Sequence, residues 1–285
     1  MERLLLRPNS VPASRDATVM GDSKRRRSRF FIEHPYCCFC GGSERATTED
    51  HQPARSLFDS RRWPEGYVFP ACERCNAVSR RDEAILAFVT RLGYTEAELS
   101  QEQIGEWRRA LAGIRRNFPQ LPQLLTANEK RAFLKERGID RPANVALADL
   151  PIIALDRETI NNAFRICALK LFCALHYKHG RIILPRTGSV FARWWMNIDV
   201  QQGAIPDEWV ALLRGHPTLH RAKVDLRSQF AYQYGVSEDA KHGFYICWFR
   251  NSFAMVGNTC FDASCFDGPT EQLLRPFNWV TQEHP

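Results

Sequence analysis

CCFCGG at residues 37–42, TTEDHQPARSLF at residues 47–58 and YVFPACERCNAVSRRDE at residues 67–83 decide how this chain reads. Two Cys-x-x-Cys pairs, Cys37/Cys40 and Cys72/Cys75, bracket the dipeptide Asp50-His51, and Asn76 follows the last cysteine directly. Thiolates paired at this spacing suit tetrahedral Zn²⁺, and two pairs make a closed structural site of four cysteines. Between them stands a different donor set: a carboxylate, an imidazole and an amide. One carboxylate and one amide oxygen suit a hard ion such as Mg²⁺ or Mn²⁺.

The stretch from Tyr36 to about Val89, with Cys37, Cys40, Asp50, His51, Pro53, Cys72, Cys75 and Asn76 in place, resembles the HNH (ββα-metal) nuclease superfamily in its four-cysteine, zinc-containing type. The resemblance implies an α+β fold. A zinc-stabilised ββα-metal module, HNH or treble-clef-like, carries Asp50-His51 on a β-hairpin, and the second cysteine pair forms a knuckle whose helix opens at Asn76. It implies His51 as general base, a catalytic Mg²⁺ or Mn²⁺ held by Asp50 and Asn76, and a structural Zn²⁺ on the four cysteines. Two places depart from the family's pattern. Tyr67 stands where a bracing Asn is usual, and Ser79 and Arg80 stand where a Lys or second His is usual. Those departures keep a second reading open, a noncatalytic zinc module that binds nucleic acid or protein.

The chain has 285 residues, enough for one large or two ordinary domains, and a formal net charge of +7. Zn²⁺ on four thiolates would bring that to about +5. An excess of this sign favours a polyanionic partner, DNA first and RNA second. The start, MERLLLRPNS, has too short an apolar run for a secretory signal. No run of about 18 apolar residues is present, so no membrane partner is expected. Ten cysteines then read as belonging to a reducing, cytoplasmic setting rather than to disulfides. Cys38, Cys167, Cys173, Cys247, Cys260 and Cys265 lack ligand spacing and read as small packing residues.

Four segments follow. Residues 1–30 read as a basic flexible tail in which Lys24, Arg25, Arg26 and Arg27 either grip phosphates or stay solvated. Residues 31–92 form the HNH module, with strands at Thr47–Asp50 and Tyr67–Phe69 and one helix from Asn76 to Gly93. Residues 93–150 read as a helical connector with capping boxes at Ser100/Gln103 and Thr126/Glu129. Residues 151–285 read as a C-terminal α+β domain, a place for protein partners. A long helix follows Asp156, Ile182–Leu184 reads as a short strand, and a hairpin turns at Arg250-Asn251-Ser252. His176 and His179 suit either a helix C-terminus or a metal.

In phosphodiester hydrolysis His51 would take the proton of the attacking water. Arg55 and Arg80, four residues after His51 and Asn76, are the expected phosphate contacts. Asn76 reads equally as a helix cap. The expectation is a metal-dependent DNA endonuclease, nicking if monomeric, laid out like mobile-element or antiviral defence nucleases.

Overall fold

A computed structural model describes residues 22–92, 99–141, 145–150, 152–262, 264 and 273–276. Gly93 and Cys265 lie outside the described residues. The fold is mixed α+β, with helices packed on antiparallel sheets. The helix α1 (Asp22–Glu33) precedes a hairpin of β1 (Thr48–His51) and β2 (Val68–Ala71), in which Asp50 pairs with Phe69 and His51 with Val68. Then come α2 (Glu73–Val78), α3 (Arg80–Val89), α4 (Gln101–Asn117), β3 (Pro122–Leu124), α5 (Ala127–Glu136) and β4 (Ile153–Leu155). Both expected capping boxes form, at α4 and at α5.

The helix α6 (Arg157–Gly180) starts at Asp156, whose side chain accepts from the Thr159 amide. It lies across a five-stranded antiparallel sheet of β5 (Ser189–Met196), β8 (Ala231–Val236), β9 (His242–Phe249), β10 (Phe253–Cys260) and β11 (Leu273–Leu274). The spatial order is β11-β5-β10-β9-β8. Side chains alternate across this sheet. Phe253 and Met255 face the core that contains α6, whereas Ala254 and Val256 face a smaller cluster with Ile205 and Leu213. That second face is covered by the chain running through α7 (Asn197–Gln201) and α8 (Asp207–Leu212). The neighbours Trp194 and Trp195 split between the faces as consecutive strand residues must: Trp194 stacks on Phe164, and Trp195 joins the smaller cluster. A two-stranded ribbon, β6 (His220–Arg221) with β7 (Val224–Asp225), completes the set.

Described residues of 31–92 and 151–285 share one core cluster, and a second, smaller cluster lies within 151–285 alone. One buried cluster runs from Cys37, Phe39 and Phe69 through Ile85 and Phe88 to Phe164, Phe172 and Tyr245. A ββα unit is too small to bury its own apolar helix face, and here α6 buries it. Polar locks reinforce the seam. Arg250, nearly inaccessible, pairs with Asp59 at 2.5 Å, and Ser252 Oγ donates to the Thr90 carbonyl at 2.7 Å.

Three local expectations need correction. The basic run is not an unstructured tail from Asp22 onward but the exposed helix α1, helped by Asp22 in its first turn and an Arg29–Glu33 pair four residues apart. The single helix after the knuckle is two, broken at the buried Ser79. Ile182–Leu184 forms no strand; α6 ends on Arg181 in a left-handed conformation, and the strand begins at Ser189. No described helix is long and apolar enough to cross a membrane.

The seat of α6 depends on Gly257. A Cβ there would lie 2.4 Å from the ring of Phe172. Gly257→Ala is therefore expected to destabilise the fold by roughly 1–3 kcal/mol through overpacking, read as a lowered midpoint of urea unfolding.

Candidate metal centre and adjoining groove

Cys37 and Cys40 lie on a tight turn. The Gly42 amide donates to the Cys37 carbonyl, and the Ser43 hydroxyl closes on the Cys40 carbonyl at 2.8 Å. Gly41 has a φ of 65°, and a Cβ on it would meet the Arg186 amide nitrogen at 2.6 Å, so this position needs glycine. Cys72 caps α2, its sulfur accepting from the Cys75 amide at 3.4 Å. The four sulfurs all lie within 4.8 Å of one another and all four residues are buried. Four crowded, water-excluded thiols fit Zn²⁺, and they form the only such group of three or more His, Cys, Asp or Glu among the described residues. Hydrogen bonds from Cys37, Cys72 and Cys75 push the Cys40 thiol far down. The described cysteines outside this group, Cys38, Cys167, Cys173, Cys247 and Cys260, are buried and form no disulfide among the described residues.

On β1 Asp50 is buried and His51 half-buried, and both line one groove. The groove is a cavity of about 420 Å³, and its walls bring together His51, Asn76, Arg55 and Arg80 with Arg61 and Glu83. Burial, then the charge of Arg55, push the His51 imidazole down to about 4, with Asp50 opposing. His51 is therefore neutral at pH 7. Its ring meets Trp63 edge-on, centroids 4.6 Å apart.

Asp50 is not a free carboxylate. Oδ1 accepts from the His51 amide at 2.7 Å, and Oδ2 lies 2.5 Å from Nζ of Lys170, a completely buried residue of α6. The same ammonium donates to Ser79 Oγ at 2.6 Å and to Glu83 Oε1 at 3.3 Å, and Ser79 donates to Glu83 at 2.6 Å. Burial alone would lower the Lys170 pKa, but Asp50 and Glu83 outweigh it and hold it above the ordinary lysine value. Asn76 does not cap the helix; Cys72 does, and Asn76 sits inside α2 with Nδ2 3.5 Å from the Glu49 carbonyl.

Asp50, Glu83 and the Asn76 amide supply oxygens of the kind Mg²⁺ or Mn²⁺ takes. Both Asp50 oxygens are engaged, one by the His51 amide and one by the Lys170 ammonium, and Arg55, Arg61 and Arg80 line the same groove.

Other expected residues fall apart from this groove. Tyr67 turns inward, its hydroxyl 2.7 Å from that of Tyr232, which is 2.8 Å from His179 Nε2. His176 meets Thr259 Oγ1 instead, at 2.8 Å, so the two histidines do not converge on one ion. Lys24, Arg25 and Arg27 are exposed on α1, and Arg27 donates to the Thr47 carbonyl. Sequence reading missed Lys170, Glu83, Arg61 and Trp63. Lys170 had left one signal, a lysine three residues after Cys167 on an otherwise apolar face.

No family model, curated protein or solved structure matches this chain.

The purified chain is expected to hold one Zn²⁺. Cys72→Ser with Cys75→Ser should abolish it and melt the module, since ligation and folding are coupled there. Elemental analysis and circular dichroism read the two effects.

Proposed function

We propose that this chain is an endonuclease that hydrolyses the phosphodiester backbone of DNA, with His51 as general base. The observation that carries the reading is a neutral imidazole on the wall of a groove shared with Arg55, Arg61 and Arg80. Its hairpin is tied at one end to four clustered cysteines and at the other to a buried ion network.

In this reading a phosphate enters against the three guanidiniums, whose planar donors match its oxygens. His51 then takes the proton from a water in line with the scissile bond, a contribution of about 10²–10⁴-fold. Asp50 acts on His51 through the backbone: by accepting from the His51 amide it fixes the strand that aims the ring. Asp50 and Asn76, with Glu83 beside them, would hold Mg²⁺ or Mn²⁺. When bound, such an ion supplies Lewis acidity at the phosphoryl group and neutralises charge at the departing 3′ oxygen. The Zn²⁺ of the four cysteines is structural in this scheme.

One observation favours a second reading, a noncatalytic zinc module that binds nucleic acid or protein. Tyr67 and Ser79, the two departures from the HNH pattern, are committed to internal contacts with Tyr232 and Lys170.

Supercoiled plasmid incubated with Mg²⁺ or Mn²⁺, with a structured RNA in parallel, separates the two. The nuclease reading expects metal-dependent nicking. It also expects a loss of at least about a hundredfold in His51→Ala, with zinc content and thermal midpoint nearly unchanged. Cleavage by His51→Ala at the wild-type rate contradicts the role of His51. No cleavage of either polymer by the wild-type chain favours the second reading.

A further inference from the structure

A second groove opens on the other side of His51. It is a cavity of about 570 Å³, and it shares Glu49 and His51 with the first groove. Its cations come from three distant parts of the chain: Arg26 on α1, Lys178 and Arg181 at the end of α6, and Arg221 on the β6–β7 ribbon. Arg26, Phe30 and His34 are spaced four apart, so one face of α1 and the residue just past its end form part of the wall.

Two of these cations, Lys178 and Arg221, are positioned by neutral groups. Lys178 Nζ donates to the Gly66 carbonyl at 3.0 Å and lies 4.2 Å from the centre of the Tyr67 ring. Arg221 donates to the Trp63 carbonyl at 3.4 Å and stacks 3.7 Å from its ring, with Arg55 5.0 Å from the same ring. The ribbon itself is pinned, since the Glu65 amide donates to the His220 carbonyl and Glu65 Oε1 accepts from the Ala222 amide, both at 3.0 Å. Among the described residues none of the four cations has a carboxylate partner. Carbonyls and rings order an ammonium or guanidinium without cancelling its charge. Arg181, with φ at 60°, also stands in a left-handed conformation where glycine would be the less strained residue.

We propose that this second groove carries a nucleic-acid strand away from His51, its phosphates held by Arg26, Lys178, Arg181 and Arg221. The inference rests on reading the first groove as the place where a phosphodiester is cut. A polymer fits better than a free phosphate because cations line the grooves on both sides of one imidazole, and in the second groove the four cations outnumber the carboxylates Glu49 and Glu65.

The test is fluorescence anisotropy with a labelled 30-mer, as duplex and as single strand, across a potassium chloride series without added divalent ion. The full-length, zinc-loaded chain is compared with Arg26→Gln plus Arg181→Gly, the second change suiting its backbone. Arg115→Gln plus Arg116→Gln on α4 removes equal charge elsewhere. The groove pair should weaken binding about tenfold at physiological salt. It should also flatten the slope of log K against log salt by about 1.8 for a duplex or about 1.4 for a single strand, and the strand form that loses affinity identifies the ligand. The α4 pair should leave both values near wild type. Wild-type affinity and slope in the groove pair, equal losses in the two pairs, or no binding by the wild-type chain would each overturn the groove. Groove-dependent binding without cleavage would leave it standing and remove the nuclease reading.

Discussion

An ammonium with no access to water organises this molecule. Lys170 sits in the middle of α6, and a charge so placed is tolerable only if it is paired and hydrogen-bonded. Its partners come from other elements: Asp50 from β1, Ser79 from the break between α2 and α3, and Glu83 from α3. The network therefore fixes where the hairpin and both knuckle helices stand relative to the long helix. Since the Asp50 carboxylate also accepts from the His51 amide, the aim of the His51 ring depends on a lysine more than a hundred residues away.

The same dependence ties the cysteine-rich segment to the long helix. Its strands are four residues each, and the apolar face of α3 is covered by α6 rather than by the hairpin. The four-cysteine cluster holds one end of the segment. Arg250 with Asp59, Tyr67 with Tyr232 and Ser252 with Thr90 hold the rest against the five-stranded sheet. Tyr67 shows this most clearly, since its hydroxyl leaves the hairpin to meet that of Tyr232 in the sheet at 2.7 Å.

Local rules were legible in the sequence wherever local chemistry decides. The Cys-x-x-Cys spacings anticipated the cysteine cluster, and the capping boxes located α4 and α5. The convergence of His51, Asn76, Arg55 and Arg80 on one groove was also legible, because all four lie close to the hairpin and knuckle. What stayed hidden depends on distant partners. Ser79 breaks a helix that periodicity would continue, because its hydroxyl answers Lys170. Asn76 misleads because the cysteine sulfur takes the capping role that Asn usually has. Trp63 and Arg221, which flank His51 with stacked planar groups, meet only through the docking of a ribbon some 150 residues later.

A double-mutant cycle on Lys170 and Asp50 reaches the ion pair itself. Unfolding free energies of wild type, Lys170→Met, Asp50→Asn and the double variant would come from urea titrations of the zinc-loaded chain at pH 7. A coupling of about 2–3 kcal/mol is expected, with the double variant less damaged than the two single losses combined. A coupling indistinguishable from zero would mean that Lys170 does not hold Asp50, and the proposed positioning of His51 would lose its foundation.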